Sequence, residues 1–313
     1  MTSGVKVLHP GILSLIQDSG RFGMAKLGLS TGGPADKLAF DWLNRLLGNK
    51  ENSTAIEVSL GGLKLQAQKP LSVCVTGAEA DLMINGGLVQ RWQTHRLATG
   101  DVLELGYARA GVRCYVGVKG GFKIPPQFSS CATVLREKIG GLNGERLNRG
   151  DVLPAEQSSD LRRFRLLQQD IPSYPSEVRL RVIPGYQQQA ISRIQQRRFF
   201  SGEYRVSPQW DRMGYRLQGP KIETKVSKML SEGIALGAIQ LPPDGQPIVL
   251  LQDRQTIGGY PKLGSVLSLD LYRLAQVGQG AKVYFEPISM DCAHNELHFA
   301  KRRFSKTKLI VSN

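Results

Sequence analysis

The chain has 313 residues, more than one hydrophobic core usually organises, so two domains are expected. Hydrophobic residues make up 41% of it, but no run of about 18 apolar residues occurs, which argues against a membrane-spanning helix. The N-terminus lacks the charged and apolar regions of a signal peptide, so a cytoplasmic protein is expected.

The net charge of +15 admits nucleic acid, an acidic partner or anionic substrates as ligands. Basic residues gather at residues 162–165, at 197–198 and in the tail after Lys301. No helix-turn-helix or zinc-finger motif accompanies them, so a solvated surface or an acidic partner protein is favoured over nucleic acid. Four cysteines without a C-x-x-C pair suit a reducing compartment, and Cys292, His294 and His298 lack the fourth ligand of a metal site.

Short apolar runs between Gly, Asp, Asn and Pro turns recur along the chain and predict a mainly β protein. These runs are residues 71–75, 102–105, 114–118, 179–183, 248–251, 266–269 and 282–285. Few helices are expected. One is predicted over residues 36–47, where apolar side chains recur at helical spacing ahead of Gly48, and a second over residues 187–199.

The sequence becomes polar and irregular between residues 154 and 177, after which β-like alternation resumes. We place the domain boundary there. This predicts an N-terminal β-barrel domain over residues 1–165, with one helix near residues 36–47. A C-terminal β-barrel domain would cover residues 175–313 and end in a basic tail.

The segment from residue 237 to residue 264 has the highest density of candidate binding groups. Two apolar strands flank the turn sequence Pro243-Asp244-Gly245, which predicts a hairpin. The polar loop that follows is interpreted as a binding loop rather than a solvated connection. Its candidate catalytic residues are Asp253 and Lys262, and its candidate substrate-binding residues are Gln255, Thr256, Gly258, Gly259 and Tyr260.

Further candidates lie outside that loop. Gly32 and Gly33 precede a helix start, where backbone N–H groups can receive an anion. Asp36 either complements the helix dipole or contacts substrate, and Glu57 is a second acid that could equally cap a strand. In the second half, Gln240 completes the proposed groove. Arg212 is either an anion clamp or the partner of Asp211 or Asp18 in an ion pair.

Several longer motifs occur in order along the chain. They include IQDSGRFGMAKLGLSTGGPAD, VIPGYQ, SEGIALGAIQLPPDG and PIVLLQDRQTIGGYPKLG. With these motifs the chain resembles a bacterial family that includes the C subunit of ATP-dependent 5-oxoprolinase, chains labelled allophanate hydrolase subunit 2, the antagonist of a sporulation-kinase inhibitor, and the carboxyltransferase domain of urea amidolyase. The resemblance covers roughly residues 4 to 290.

The resemblance implies two tandem cyclophilin-like β-barrels meeting at a shared groove, and subunits A and B as partners. It implies an ATP-dependent complex that opens 5-oxoproline to glutamate, with no cofactor bound by this chain alone. The chain lacks a phosphate-binding P-loop, a biotin attachment sequence and a G-x-S-x-G nucleophile motif, so inactivity alone is expected. The alternatives are a biotin-dependent carboxyltransferase acting on urea and a regulatory protein that sequesters a kinase inhibitor.

The lactam of 5-oxoproline presents a ring N–H, a carbonyl oxygen and a carboxylate. We match these groups to Asp253, to Gln255 with Thr256, and to Lys262 or Arg212, respectively. One position departs from the family pattern, because Ser129 stands where a glycine is usual. Either Ser129 adopts a conformation open to other residues, or this rim of the groove is reshaped.

Overall fold

The structure is a computed structural model, and it describes residues 3–158, 163–187, 191–224 and 229–312. The chain divides into two compact units. The first unit comprises residues 1–23, 32–174 and 308–313, and the second comprises residues 24–31 and 175–307. The sequence predicted two continuous domains, whereas residues 24–31 belong to the second unit and residues 308–313 belong to the first.

The first unit is built from two antiparallel sheets. One has the order β11-β1-β4-β9-β6-β7 and the other the order β2-β3-β10-β5-β8. The strands are β1 (Gly4–Pro10), β2 (Leu13–Gln17), β3 (Ala55–Ser59), β4 (Leu63–Ala67), β5 (Leu71–Glu79), β6 (Leu82–Ile84), β7 (Gly87–Val89), β8 (Thr94–Leu97), β9 (Val102–Leu105), β10 (Ala110–Val118) and β11 (Val152–Pro154).

The core of the first unit follows from the alternation of its strands. In β4, Leu63, Leu65 and Ala67 are buried, while Lys64 and Gln66 between them are less so. Strand β5 is buried on both faces, because α1 (Lys37–Leu46) packs against it and against β10. Apolar side chains of both sheets form one continuous cluster.

Helix α1 corresponds to the helix expected near residues 36–47. Asp36 caps its N-terminus by accepting a hydrogen bond from the N–H of Ala39 at 2.9 Å. Phe40 and Leu43 on one face are fully buried. The helix stops before Gly48, whose φ of 61° is a left-handed conformation that favours glycine.

The second unit is a closed seven-stranded barrel in the order β13-β20-β17-β18-β15-β14-β21. A two-stranded ribbon, β16 with β19, stands beside it in the same unit. The strands are β13 (Glu177–Pro184), β14 (Tyr204–Trp210), β15 (Gly214–Gln218), β16 (Glu232–Gly233), β17 (Ala238–Gln240), β18 (Ile248–Leu250), β19 (Ile257–Gly258), β20 (Lys262–Val266) and β21 (Lys282–Pro287).

The predicted hairpin is confirmed. Strands β17 and β18 pair antiparallel, with Gln240 opposite Ile248. Gly245 has a φ of 73°, and its N–H donates to the carbonyl of Pro242 at 2.9 Å, as the turn sequence requires. The mainly β fold is therefore correct, and the hairpin lies inside the barrel of the second unit.

Two helices of the second unit differ from expectation. Helix α2 (Arg193–Ser201) begins later than the predicted residues 187–199, of which residues 188–190 lie outside the described residues. The predicted strand 266–269 is wrong, because β20 ends at Val266 and α3 (Ser268–Ala275) begins two residues later. Its Asp270 is buried and paired with Arg181 of β13 at 2.7 Å, which holds the helix against the barrel.

The basic tail is not an irregular extension. It forms α4 (Met290–Lys306), a 17-residue helix. After it, β22 (Ile310–Ser312) pairs antiparallel with β12 (Arg163–Arg165) in the first unit, so most of the basic group at residues 162–165 also lies in a strand. Among the residues that the structure describes, no helix is long and apolar enough to span a membrane.

Candidate functional site

A buried ion pair fixes the start of the candidate binding loop. Arg212, in the turn between β14 and β15, donates from Nε and Nη2 to the two carboxylate oxygens of Asp253 at 2.9 and 2.8 Å. Each residue is 6% exposed, and the N–H of Asp253 donates to the carbonyl of Arg212 at 2.9 Å. This bidentate geometry ties the loop after β18 to the neighbouring turn.

Sequence analysis did not identify Asp253 as the partner of Arg212. Of the two acids it offered, Asp211 accepts a hydrogen bond from the N–H of Met213 at 2.7 Å. Asp18 accepts from the Ser130 hydroxyl and from the N–H of Cys131, each at 2.6 Å. Since both oxygens of Asp253 accept from Arg212, the pair is suited to positioning the loop. Proton transfer by Asp253 and anion binding by Arg212 stay predictions.

A second polar group of the same unit, here called the Glu232 cluster, consists of Tyr186, Gln187, Glu232 and Lys262. The Glu232 carboxylate accepts from the Lys262 ammonium, the Tyr186 hydroxyl and the Gln187 amide. Gln187 also accepts from the N–H of Lys262 at 2.8 Å. The hydrogen bonds from Lys262 and Tyr186 lower the pKa of the Glu232 carboxyl, so Glu232 is a carboxylate near neutral pH.

Three members of the Glu232 cluster were missed as candidates by sequence reasoning. Tyr186 and Gln187 end the motif VIPGYQ, and Glu232 is the second residue of the motif SEGIALGAIQLPPDG. Both motifs carried the family resemblance, so the signal was present. Their separation from Lys262 along the chain hid the contact, because pairing of distant strands brings them together.

Gln240 supplies a buried hydrogen-bond donor close to the Glu232 cluster. The residue is 2% exposed and pairs in register with Lys262 between β17 and β20. Its Nε2 atom is buried and has no hydrogen-bond partner among the residues that the structure describes. A buried donor left without an acceptor costs roughly 1–3 kcal/mol. The amide is therefore a place where an oxygen atom of a ligand would be stabilised.

Gly258 lies close to that amide. It lies in the ribbon of β16 and β19, opposite Glu232. A Cβ atom at position 258 would lie 2.8 Å from Nε2 of Gln240 and 2.5 Å from the side chain of Ile234, so any larger residue would press on both. The ribbon, the barrel hairpin and the start of β20 thus bring Gln240, Gly258 and Lys262 together.

The remaining candidates of the loop lie between β18 and β20. Gln255 and Thr256 are half-buried, and the carbonyl of Thr256 accepts from the N–H of Ile234 at 3.0 Å. Gly259 accepts at its carbonyl from the N–H of Met229 at 3.3 Å. Tyr260 is 43% exposed and offers an aromatic surface to solvent. Their contacts with substrate stay predictions.

In the first unit, two backbone N–H groups ahead of α1, including that of the candidate Gly33, donate to acceptors of the protein itself. The N–H of Gly33 donates to Gln17 at 3.0 Å, and the N–H of Asp36 donates to the hydroxyl of Tyr115 at 2.8 Å. Gly32 and Gly33 have φ values of 63° and 88°, which explains the glycine pair at this bend. These groups stabilise the approach to α1.

Asp36 and Glu57 are likewise buried and hydrogen-bonded within the protein. Asp36 is fully buried, and besides capping α1 it accepts from the Tyr174 hydroxyl at 3.1 Å. Glu57, inside β3, accepts from the N–H of Ala35 at 2.8 Å and from Tyr115 at 2.7 Å. Burial and the neighbouring Glu57 raise the pKa of Tyr115 well above its usual value, so Tyr115 remains a hydrogen-bond donor. A substrate contact by Asp36 or Glu57 stays a prediction.

The structure gives little support for Cys131 as a nucleophile or for Cys292 as a metal ligand. Burial and Asp18 raise the pKa of Cys131 to about 11, so a thiol rather than a thiolate is present near neutral pH. Cys292, His294 and His298 lie on α4 and are exposed. Within the described ranges, no group of three His, Cys, Asp or Glu side chains is placed to hold a metal ion.

Comparison with known proteins identifies the family to which the chain belongs. The sequence model of the carboxyltransferase domain, subdomain A and B, matches residues 27–287. A Haemophilus influenzae protein named as the C subunit of 5-oxoprolinase is 41% identical over 289 residues, which cover 91% of this chain and 92% of that protein. The Escherichia coli protein of the same name is 34% identical over 305 residues, 96% of this chain and 97% of the relative.

A solved structure agrees with the architecture. The crystal structure of the K. lactis urea amidolyase superposes with a TM-score of 0.90 at 24% identity, over 98% of this chain. The match covers 20% of the urea amidolyase chain, so this chain corresponds to a small part of that enzyme. At that identity the likeness concerns the fold.

Proposed function

The chain belongs to the family described as carboxyltransferase domain, subdomain A and B. Since it also matches 5-oxoprolinase C subunits over nearly its whole length, we propose that it acts as the C subunit of an ATP-dependent 5-oxoprolinase complex. The complex would open the lactam of 5-oxoproline to L-glutamate. The structural observation that carries the proposal is the buried Gln240 amide, whose Nε2 donor lies close to Gly258 and has no hydrogen-bond partner among the described residues.

The polar groups around that position fit the three polar groups of the lactam. The Nε2 donor of Gln240 would bind the ring carbonyl oxygen. Lys262 would bind the carboxylate, and Glu232, with its lowered pKa, would accept from the ring N–H. Glu232 is proposed for this role in place of Asp253 because it lies in the same cluster as Lys262.

Ring opening would use these groups as fixed dipoles and charges. With the partner subunits A and B, ATP transfers its terminal phosphoryl group to the lactam oxygen and ADP leaves, and water then adds to the ring carbon. The C–N bond breaks, its electron pair stays on nitrogen, and nitrogen takes up a proton to become the amino group. A second water hydrolyses the acyl phosphate to glutamate and phosphate. A donor held in place by the barrel stabilises the oxyanion that forms when water attacks the ring carbon, without reorganisation.

The direct test is Gln240→Leu in the complex reconstituted with subunits A and B. The substitution keeps the side-chain size and removes the donor. We expect kcat/KM for 5-oxoproline to fall about 100-fold or more, the usual consequence of losing one such donor. Stability should stay unchanged or rise, because a buried donor without an acceptor is removed. Both quantities would be measured on the same preparation.

The matched control is Gln209→Leu, at an exposed position of the same unit, which should leave kcat/KM unchanged. Gly258→Ala is a second probe, since its Cβ would press on the Gln240 amide. Retention of full activity by Gln240→Leu, in a complex whose wild-type form is active, would remove Gln240 from the site.

A further inference from the structure

One face of α4 combines an aromatic side chain with three cations. Phe299, Arg302, Arg303 and Lys306 are spaced at i, i+3, i+4 and i+7, so they lie on the same side of the helix. All four are exposed, and Phe299 is 62% exposed. The only buried residue of α4 is Ala293. We call these four residues the Phe299 face.

The cations of this region are not neutralised by the protein. Within the described residues, no ion pair involves Lys301, Arg302, Arg303, Lys306 or Lys308. Arg303 and Lys306 in the last turn complement the helix dipole, but this does not account for Arg302 or for the exposed ring of Phe299. An exposed aromatic residue flanked by arginines is typical of the centre of a protein interface.

The composition of the rest of the helix favours a protein over other acidic partners. Phe299 is the single apolar residue of the Phe299 face, whereas a membrane-surface helix presents a broad apolar face. The N-terminal half carries Asp291 and Glu296, of which Glu296 pairs with Arg181 at 2.8 Å, so the basic stripe is confined to the C-terminal half of the helix. The family model ends at residue 287, before α4 begins at Met290.

We infer that the Phe299 face docks an acidic surface of another subunit of the proposed 5-oxoprolinase complex. The inference rests on the proposed function for the identity of the partner. Carboxylates of the partner would surround the ring of Phe299 and pair with Arg302, Arg303 and Lys306. Such charge complementarity speeds association and weakens as salt screens it.

The test compares two charge-reversal variants of the full chain. Arg302→Glu/Arg303→Glu changes the Phe299 face, and Arg146→Glu/Arg149→Glu makes the same change of charge at two exposed positions of the first unit. Dissociation constants for purified subunits A and B would be measured by calorimetry at low and high salt. We expect the α4 variant to bind at least about tenfold more weakly at low salt, with a smaller difference at high salt, and the control to bind like wild type.

The outcomes separate the inference from the proposed function. A wild-type chain that forms no complex with subunits A and B would overturn both. An active wild-type complex and unchanged affinity of the α4 variant would overturn the docking face alone, as would equal losses in the two variants. Parallel titrations with a DNA duplex of about 20 base pairs and with phosphatidylglycerol vesicles complete the test. A loss confined to either of them would assign the face to that ligand instead.

Discussion

Ser129 has a backbone conformation that favours glycine, although its side chain is that of serine. Its φ is 65°, in the left-handed region, and the preceding Phe128 has a φ of 51°. Residues other than glycine can adopt this region, but they do so less readily than glycine. The loop retains the backbone that suits glycine, and the Cβ of serine is strained there by about 1–2 kcal/mol.

Ser129→Gly should therefore stabilise the first unit. The strain relieved exceeds the greater chain entropy that glycine gives the unfolded state, so a net gain of about 0.5–1 kcal/mol in the free energy of unfolding is expected. Urea denaturation measures it. Ser173→Gly, at a position without a positive φ, is the control and should be neutral or destabilising. A loss of stability in Ser129→Gly would contradict the strain.

The Arg212–Asp253 pair gives a second prediction at this scale. Asp253→Ala removes a bidentate partner from a buried guanidinium and should destabilise the protein by about 3–5 kcal/mol. Replacing both residues by apolar ones, Arg212→Met/Asp253→Leu, should recover much of that loss. Thermal and urea unfolding of both variants provide the comparison.

These two variants also separate structure from catalysis. If Asp253 only positions the loop, the double variant should regain stability and a substantial part of the activity of the reconstituted complex. A stable but inactive double variant would instead return Asp253 or Arg212 to the reacting groups. The single Asp253→Ala variant cannot distinguish these cases, because its loop would be displaced.

The candidate residues could be predicted from the sequence more easily than their partners. Residue type and motif singled out Gln240, Gly258 and Lys262, which the structure brings together. The contact of Asp253 with Arg212 and that of Glu232 with Lys262 depend on strand pairing across the barrel. Such pairings have no local signal in a single sequence.

At the scale of elements, charged side chains accompany the pairing of β14 with β21 in the barrel. Glu203, directly before β14, accepts from Tyr284 at 2.6 Å and from Lys282 at 2.9 Å, both in β21. It also pairs with Arg205 at 2.8 Å. The hydrogen bonds from Tyr284 and Lys282 lower the pKa of Glu203 to about 2.

This lowered pKa predicts a pH dependence with a definite sign. Because Glu203 is more acidic in the folded chain, its stabilising contribution is present above its ordinary pKa of 4.5 and is lost as the pH falls toward about 2. Glu203→Gln should thus be less stable than wild type near neutral pH, and the difference should shrink at acidic pH. Urea midpoints across this range measure it.

The control for this titration is Glu223→Gln, at an exposed position of the same unit. It should show no pH-dependent difference from wild type. A Glu203→Gln difference that stays constant from neutral to acidic pH would show that packing, and not the charge of Glu203, joins the two strands.

The elements themselves were predictable where local patterns were strong. Turn residues fixed the β17–β18 hairpin, and helical spacing with a C-terminal glycine fixed α1. The apolar run at residues 266–269 was misread as a strand because a run this short fits either a strand or a helix start. Helix α4 was missed because its charged and polar exposed faces weaken the apolar period.

At the scale of the whole molecule, the motifs carried more information than composition did. The net charge of +15 left nucleic acid, an acidic partner and anionic substrates open. The order of motifs predicted a family, and that prediction is confirmed by the match over residues 27–287. Composition nevertheless has a counterpart in the structure, since part of the excess positive charge lies on α4.

The most direct test of the proposed function is the product formed by the chain together with subunits A and B, ATP and either 5-oxoproline or urea with bicarbonate. We predict glutamate and phosphate from 5-oxoproline, no turnover of urea, and loss of glutamate formation when this chain is omitted. Glutamate formed equally well without the chain, or carboxylation of urea by a mixture that includes it and a biotin carrier, would contradict the proposal.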